Sequence, residues 1–284
     1  MQTFLPYPSF AESARVLDGG RLGKQRIETM QILRALSFPT YGWQRHPAVG
    51  MWRGYVPALT AYGLAVTDAW LERGHADTVR PQIREFAPDV DGRSQESLAA
   101  DGLLPPWVGD PAVHESHRSR LIAKDPAYYG SAFPGTREGL DYVWPASAAV
   151  VAESAGDRLW VLRVDDLESW REAGLVGIRL TNAKGRLTRA WREQLDHFTD
   201  ELQPGTLVGM LGPDPVLLHL ARITGPAATA TLDGEEFLAR SARFEGNLAR
   251  ASLPVPSSLQ NPRRLFSVAP PQAVAAVAAG DLRP

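Results

Sequence analysis

Apolar positions in the first half of the chain recur every three or four residues. Ser9-Phe10-Ala11-Glu12 has the spacing of a capping box and predicts a short helix ending near Asp18-Gly19-Gly20. Leu22, Ile27, Met30, Leu33 and Leu36 then mark one side of a helix from about Arg21 to Leu36. Its other side gathers Arg21, Lys24, Gln25, Glu28 and Gln31. Residues so spaced project to one face. The same spacing also fits a surface ion pair between Lys24 and Glu28. After a turn rich in aromatic and basic groups, Tyr41 to Pro47, a helical stretch is expected over 48–73, with Trp52, Tyr55, Leu59, Tyr62 and Val66 towards a core. Residues 78–102 are acidic, poor in large apolar groups and broken by proline and glycine, so they read as a loop or loose insertion. Asp110-Pro111 opens another helix and Asp125-Pro126 restarts it up to Tyr128-Tyr129-Gly130.

Beyond residue 145 the period changes. Residues 146–157 are small and read as a linker. Strands are expected over 159–164, 176–180, 206–211 and 216–223, with one helix over 188–202. The chain is thus expected to be α+β overall. An all-helical domain over 1–145 precedes an α+β, barrel-type domain over 158–270 and a frayed tail over 271–284.

Composition narrows the chemistry. The 284 residues include no cysteine, which excludes disulfides, thiolate metal sites and cysteine nucleophiles. No apolar run is long enough to span a bilayer and no secretory signal is evident, so a cytoplasmic, nucleoid-associated protein is expected. The net charge of -2 conceals an asymmetry. Residues 13–53 hold seven basic side chains (Arg15, Arg21, Lys24, Arg26, Arg34, Arg45, Arg53) against Asp18 and Glu28, whereas 68–110 hold nine acidic and four basic. A polyanion partner therefore stays open. There is no Walker loop, no GxGxxG and no GxSxG. His114 and His117 are spaced as metal ligands can be, which admits a metal-dependent nuclease. They equally suit packing under an aromatic ring. With Arg118, Arg120 and Lys124 they could also meet phosphate. A basic face around one carboxylate, with aromatics nearby, suits an extrahelical base held among phosphate contacts. A non-catalytic nucleic-acid-binding protein is the alternative.

Four segments carry a resemblance: Met1 to Pro8; Val16-Leu17-Asp18 through Arg21-Leu22-Gly23-Lys24-Gln25-Arg26-Ile27-Glu28; His46-Pro47-Ala48 with Met51 to Tyr55; and His114 to Arg118 through Lys124 to Gly130. Residues 1–145 so resemble the pyrimidine-dimer DNA glycosylases, whose best-known member is the phage endonuclease V. The resemblance implies a compact helical fold, no cofactor, and double-stranded DNA with a flipped damaged or modified base as partner. It implies no membrane and no obligatory protein partner. In that family a free N-terminal amine attacks the sugar C1′ and forms a Schiff base. A glutamate on the first long helix stabilises the intermediate and assists β-elimination. By position Glu28 is that glutamate, although Ile27 separates it from Arg26 where the family has an arginine directly before the acid. The amine is that of Met1, of a trimmed N-terminus, or of Lys24; a water activated by Glu28 is the remaining option. Arg21, Gln25 and Arg26, with His46, Arg53, His114, His117, Arg118, Arg120, Lys124, Tyr128 and Tyr129, are then expected to meet DNA. Residues 158–268 look like a PUA-like reader of modified bases, with Trp160, Trp191 and Phe198 expected to line its pocket; core packing is the alternative for each.

Overall fold

The computed structural model describes residues 1–38, 41–145, 158–214, 216–250, 253 and 256–268. The linker read at 146–157 and the tail at 271–284 lie outside these residues. The chain divides into two compact units, Met1–Glu153 and Ser154–Pro284.

The described part of the first unit is helical. Helix α1 (Phe10–Arg15) begins where the Ser9 hydroxyl accepts from the amide of Glu12 at 3.2 Å. Helix α2 (Gly19–Ser37) is capped by Asp18, which accepts from Arg21 N at 3.0 Å. It therefore starts two residues before the expected Arg21. The expected helix over 48–73 is two helices, α3 (Pro47–Gly50) and α4 (Val56–Glu72). They are parted by a turn in which Gly54 takes φ 85°, a conformation open to glycine. Helix α4 buries residues all round its circumference, as a central helix must. Residues 78–102 are not a loose loop. They form α5 (Arg80–Arg84), a 3-10 turn and α6 (Gln95–Ala100), anchored by Ile83, Phe86, Val90 and Leu98 in the core. Helix α7 (Pro111–Lys124) and helix α8 (Pro126–Ala132) start at Asp110 and Asp125 as read.

The second unit is a curled, half-barrel sheet with two helices. Its strands are β1 (Leu159–Arg163), β2 (Leu175–Arg179), β3 (Leu207–Leu211), β4 (Leu217–Ile223), β5 (Ala228–Leu232), β6 (Glu235–Ala249) and β7 (Leu265–Val268). The order is β2-β6-β4-β3-β1-β7, with β5 also on β6. Strands β1 and β3 run parallel; the other pairs are antiparallel. Strand β6 spans both halves of the curl, holding β2 and β5 with its first residues and β4 with its last. A register shift at Leu220/Ala221 adds to the bend. Trp160 and Leu162 enter one apolar core while Leu159 and Val161 enter the other. Burial on both faces is why β1 is a continuous apolar run. Helices α9 (Leu167–Glu172) and α10 (Arg189–Asp200) complete the unit. Strands β5 to β7 and helix α9 were not foreseen.

Helices α2 and α4 meet closely because Gly63 has no side chain. A Cβ there would lie 2.8 Å from Thr29 Cγ2 and 2.9 Å from Ile83 Cγ2. Gly63→Ala is expected to destabilise the protein by about 1–3 kcal/mol, measured by urea unfolding of the full chain. An unchanged midpoint would show that the contact yields without cost.

Candidate functional site

The N-terminal segment enters the helical unit extended, with no strand to pair with. Its peptide groups are met by side chains instead. Gln25, buried in α2, donates to Gln2 O at 2.5 Å and accepts from Phe4 N at 3.0 Å. Tyr62 of α4 donates to Phe4 O at 2.8 Å. His117 of α7 accepts from Leu5 N through Nδ1 at 2.8 Å. Its neighbour His114 takes Leu5 O on Nδ1 at 2.8 Å and accepts from Gly109 N on Nε2 at 2.9 Å. Arg118 donates to Pro6 O at 2.7 Å, and Trp52 donates to the Thr3 hydroxyl at 2.9 Å. The segment is threaded through the unit, and its start lies beside α2.

There the amide nitrogen of residue 2 donates to Glu28 Oε2 at 3.0 Å. Glu28, Met1, Gln2, Phe4, Asp18, Gly20, Arg21, Lys24, Lys124 and Tyr142 line a cleft of about 550 Å³. Helix α2 supplies Arg21, Lys24 and Glu28 from successive turns, and Lys124 comes from the last turn of α7. Lys24 and Lys124 are exposed and form no ion pair among the described residues. The surface pair Lys24–Glu28 is thus not made. Arg21 is braced. Its Nη1 lies 2.6 Å from Asp18 Oδ2, and its guanidinium stands 5.3 Å from the centre of the Tyr129 ring. Tyr129 donates to the same carboxylate at 2.5 Å. Burial pushes the Asp18 carboxyl up, but the hydrogen bonds from Tyr129 and Arg21 outweigh it and bring it down to about 2. His46 caps α3 by accepting from Ala48 N at 3.1 Å. Burial and the nearby terminal ammonium hold its ring below the ordinary histidine value, against a smaller opposing pull from Glu28.

Five of the expected site residues, Met1, Arg21, Lys24, Glu28 and Lys124, thus meet in one cleft. The others are placed elsewhere. Gln25, His114, His117 and Arg118 hold the N-terminal segment. Arg26 turns to Asp77 and lies over the Trp70 ring at 4.2 Å. Arg120 pairs with Asp141 and stands 5.6 Å from the Tyr142 ring centre. Arg53 donates to Gln44 O at 3.2 Å. Tyr129 is buried, and Tyr128 is exposed beside it with ring centres 4.8 Å apart. A metal site on His114 and His117 is not built, because three of their four ring nitrogens already serve the backbone. No group of three or more potential metal ligands occurs among the described residues. Tyr142, which lies outside the resembling segments, belongs to the cleft, as does Gln2, to which the sequence assigned no role.

The C-terminal unit has its own cleft of about 280 Å³, lined among others by Trp170, Trp191 and Phe237. Of the three aromatics expected there, only Trp191 takes part. Trp160 and Phe198 are core residues, Phe198 fully buried and Trp160 5.1 Å from the His197 ring. Trp170 comes from the unforeseen helix α9. It lies over Gly177, where a Cβ would come within 2.7 Å of the indole. Asp165–Arg264 at 2.6 Å and an Arg179–Glu235 pair flank this cleft.

The family model described as pyrimidine dimer DNA glycosylase matches residues 1–80. That stretch holds the N-terminal segment and α1 to α4, so the resemblance read from the sequence is supported there. It carries Met1, Arg21, Lys24 and Glu28 but stops short of Lys124. No curated protein matches the chain. The PUA-like resemblance of residues 158–268 gains no support. Among the described residues no helix is long and apolar enough to cross a membrane.

Burial takes the His117 ring down to about 3, and the charge on His114 acts the same way. The unfolded chain binds this proton near pH 6.5, while the folded chain refuses it until about pH 3. Stability from this group is therefore full above pH 6.5 and falls with pH by up to about 1.4 kcal/mol per unit. Asp18 adds nothing to that slope until the pH nears the ordinary carboxylate range. His117→Gln, which keeps an acceptor for Leu5 N, is expected to flatten the fall in urea midpoint between pH 6.5 and 4. An unchanged slope would place the proton uptake elsewhere.

Proposed function

We propose that this protein is a DNA glycosylase that excises a damaged pyrimidine through the amine at its N-terminus, with Glu28 as the acid–base partner. One observation carries the reading: the nitrogen of residue 2 lies 3.0 Å from Glu28 Oε2, in a cleft that also holds Met1, Arg21, Lys24 and Lys124. With Met1 removed, this nitrogen is itself the terminal amine beside the carboxylate; with Met1 kept, the residue that bears the amine lines the same cleft. Attack of the amine on the sugar C1′ breaks the glycosidic bond, and the base leaves with the bonding electrons and takes up a proton. The C1′–O4′ bond of the resulting aminoglycoside then opens, O4′ taking up a proton as the nitrogen gives one up, and the imine so formed links the chain to the sugar. Glu28 can then accept the C2′ proton, which expels the 3′ phosphate and completes an AP-lyase step. Lys24, Lys124 and Arg21 neutralise phosphates on either side of the target nucleotide. Lys24 is less suited as nucleophile. It is exposed, and the two arginines nearest it on α2, Arg21 and Arg26, are paired with Asp18 and Asp77.

Pyrimidine dimers in double-stranded DNA are the substrate that the family match favours. The second unit contributes DNA or modified-base reading through the cleft of Trp170, Trp191 and Phe237, which makes a modified phage base the competing substrate.

The test is release of base from ultraviolet-irradiated duplex DNA in the presence of EDTA. The wild-type chain is expected to release it. Glu28→Gln is expected to lose at least a hundredfold in rate, in line with general acid–base catalysis, while binding DNA with unchanged salt dependence. Equal rates for the two proteins would remove Glu28 from the mechanism. Loss of base release in EDTA would contradict an amine-and-carboxylate mechanism.

A further inference from the structure

Trp43 is the most exposed large aromatic of the helical unit, with 62% of its surface open to solvent. It also takes φ 72°, a left-handed conformation that a bulky residue rarely adopts. The turn around it is fastened firmly. Gln44 donates from its side chain to Phe38 O at 2.8 Å, and its own carbonyl accepts from Arg53 at 3.2 Å. His46 N donates to Trp43 O at 2.8 Å. The backbone is thus held in a strained form while the indole points outward, a combination kept where the side chain has a task.

The indole also starts a file of rings that reaches the cleft. Trp43 meets His46 edge-on at 5.9 Å, His46 meets Trp144 at 6.1 Å, and Trp144 meets Tyr142 at 5.3 Å. Tyr142 lines the cleft with Glu28 and Met1. Each ring rests on the next, so the outermost cannot fold back without disturbing those behind it. Arg45, two residues from Trp43, is exposed and makes no ion pair among the described residues. A flat apolar blade beside a free guanidinium is what a stack of bases flanked by phosphates accepts.

We propose that Trp43 is a wedge that enters the DNA base stack next to the target and fills the space left when the nucleotide turns into the cleft, with Arg45 on the adjoining phosphate. This rests on the glycosylase reading above. The wedge supplies what the cleft lacks, because Lys24, Lys124 and Arg21 can hold phosphates but cannot replace the stacking that a flipped base gives up.

The experiment uses the full chain and a duplex carrying 2-aminopurine beside a thymine dimer. Fluorescence follows the opening of the stack, and base release is followed separately. With wild-type protein the fluorescence is expected to rise on binding. With Trp43→Ala the rise is expected to vanish and base release from the duplex to fall about tenfold or more, the scale of one lost stacking contact. Release from irradiated single strands should stay at the wild-type rate, and Trp43→Phe should restore most of the duplex activity. An unchanged unfolding midpoint of Trp43→Ala accompanies these results. A fluorescence rise that survives in Trp43→Ala, or equal losses on duplex and single strands, would overturn the wedge. A fluorescence rise by wild type without any base release would instead overturn the glycosylase reading and leave the wedge standing.

Discussion

An extended chain segment buried inside a helical unit has nowhere to send its peptide hydrogen bonds. Each buried N–H or C=O left alone costs on the order of 1–3 kcal/mol. Here the debt of residues 2–6 is met by Gln25, Tyr62, His114, His117 and Arg118, drawn from helices α2, α4 and α7. Much of the helical unit follows from this arrangement. It explains why α7 buries two histidines, and why α2 buries a glutamine. It also fixes the start of the chain against Glu28. A terminus is ordinarily the loosest part of a domain; this one is held over several residues and from three sides.

Charge is arranged to the same end. The acidic stretch over 68–110 is the counterpart of the basic stretch before it. Glu72 takes Arg15, and Asp77 takes Arg26. Arg80 gathers Asp68 and Asp91 within the acidic stretch itself. Lys24 and Lys124 at the cleft, and Arg45 on the turn beyond α2, form no ion pair among the described residues. A chain of net charge -2 thereby keeps two exposed lysines at the cleft of its helical unit.

The sequence made the helical half legible wherever caps and periods agreed. Ser9, Asp110 and Asp125 each start the helix they announce, whereas Asp18, read as the end of one helix, caps the start of the next; Glu28, Lys24 and Arg21 share a face as their spacing requires. It concealed residues 78–102, because four apolar residues at uneven intervals suffice to anchor short helices. It misled at Gln25, His114, His117 and Arg118. Polar side chains suggest contact with a ligand, and only the fold reveals that their ligand is the chain's own backbone. In the second unit, β6 carries Glu235, Glu236, Arg240, Arg243 and Glu245 along a half-exposed ribbon and gives little apolar alternation. Trp191 was recognised for the cleft, but Trp170 was missed with the six-residue helix that bears it. Trp160 and Phe198 went to the core, where most large aromatics go.

The account stands on the terminal amine being the group that meets the sugar. The direct measurement is borohydride reduction of the protein on abasic duplex DNA, followed by peptide mass spectrometry of the adduct. The account predicts one sugar remnant on the α-nitrogen of the N-terminal peptide, lost when that amine is blocked by acetylation. An adduct on Lys24, or one that persists with the terminus acetylated, would contradict it.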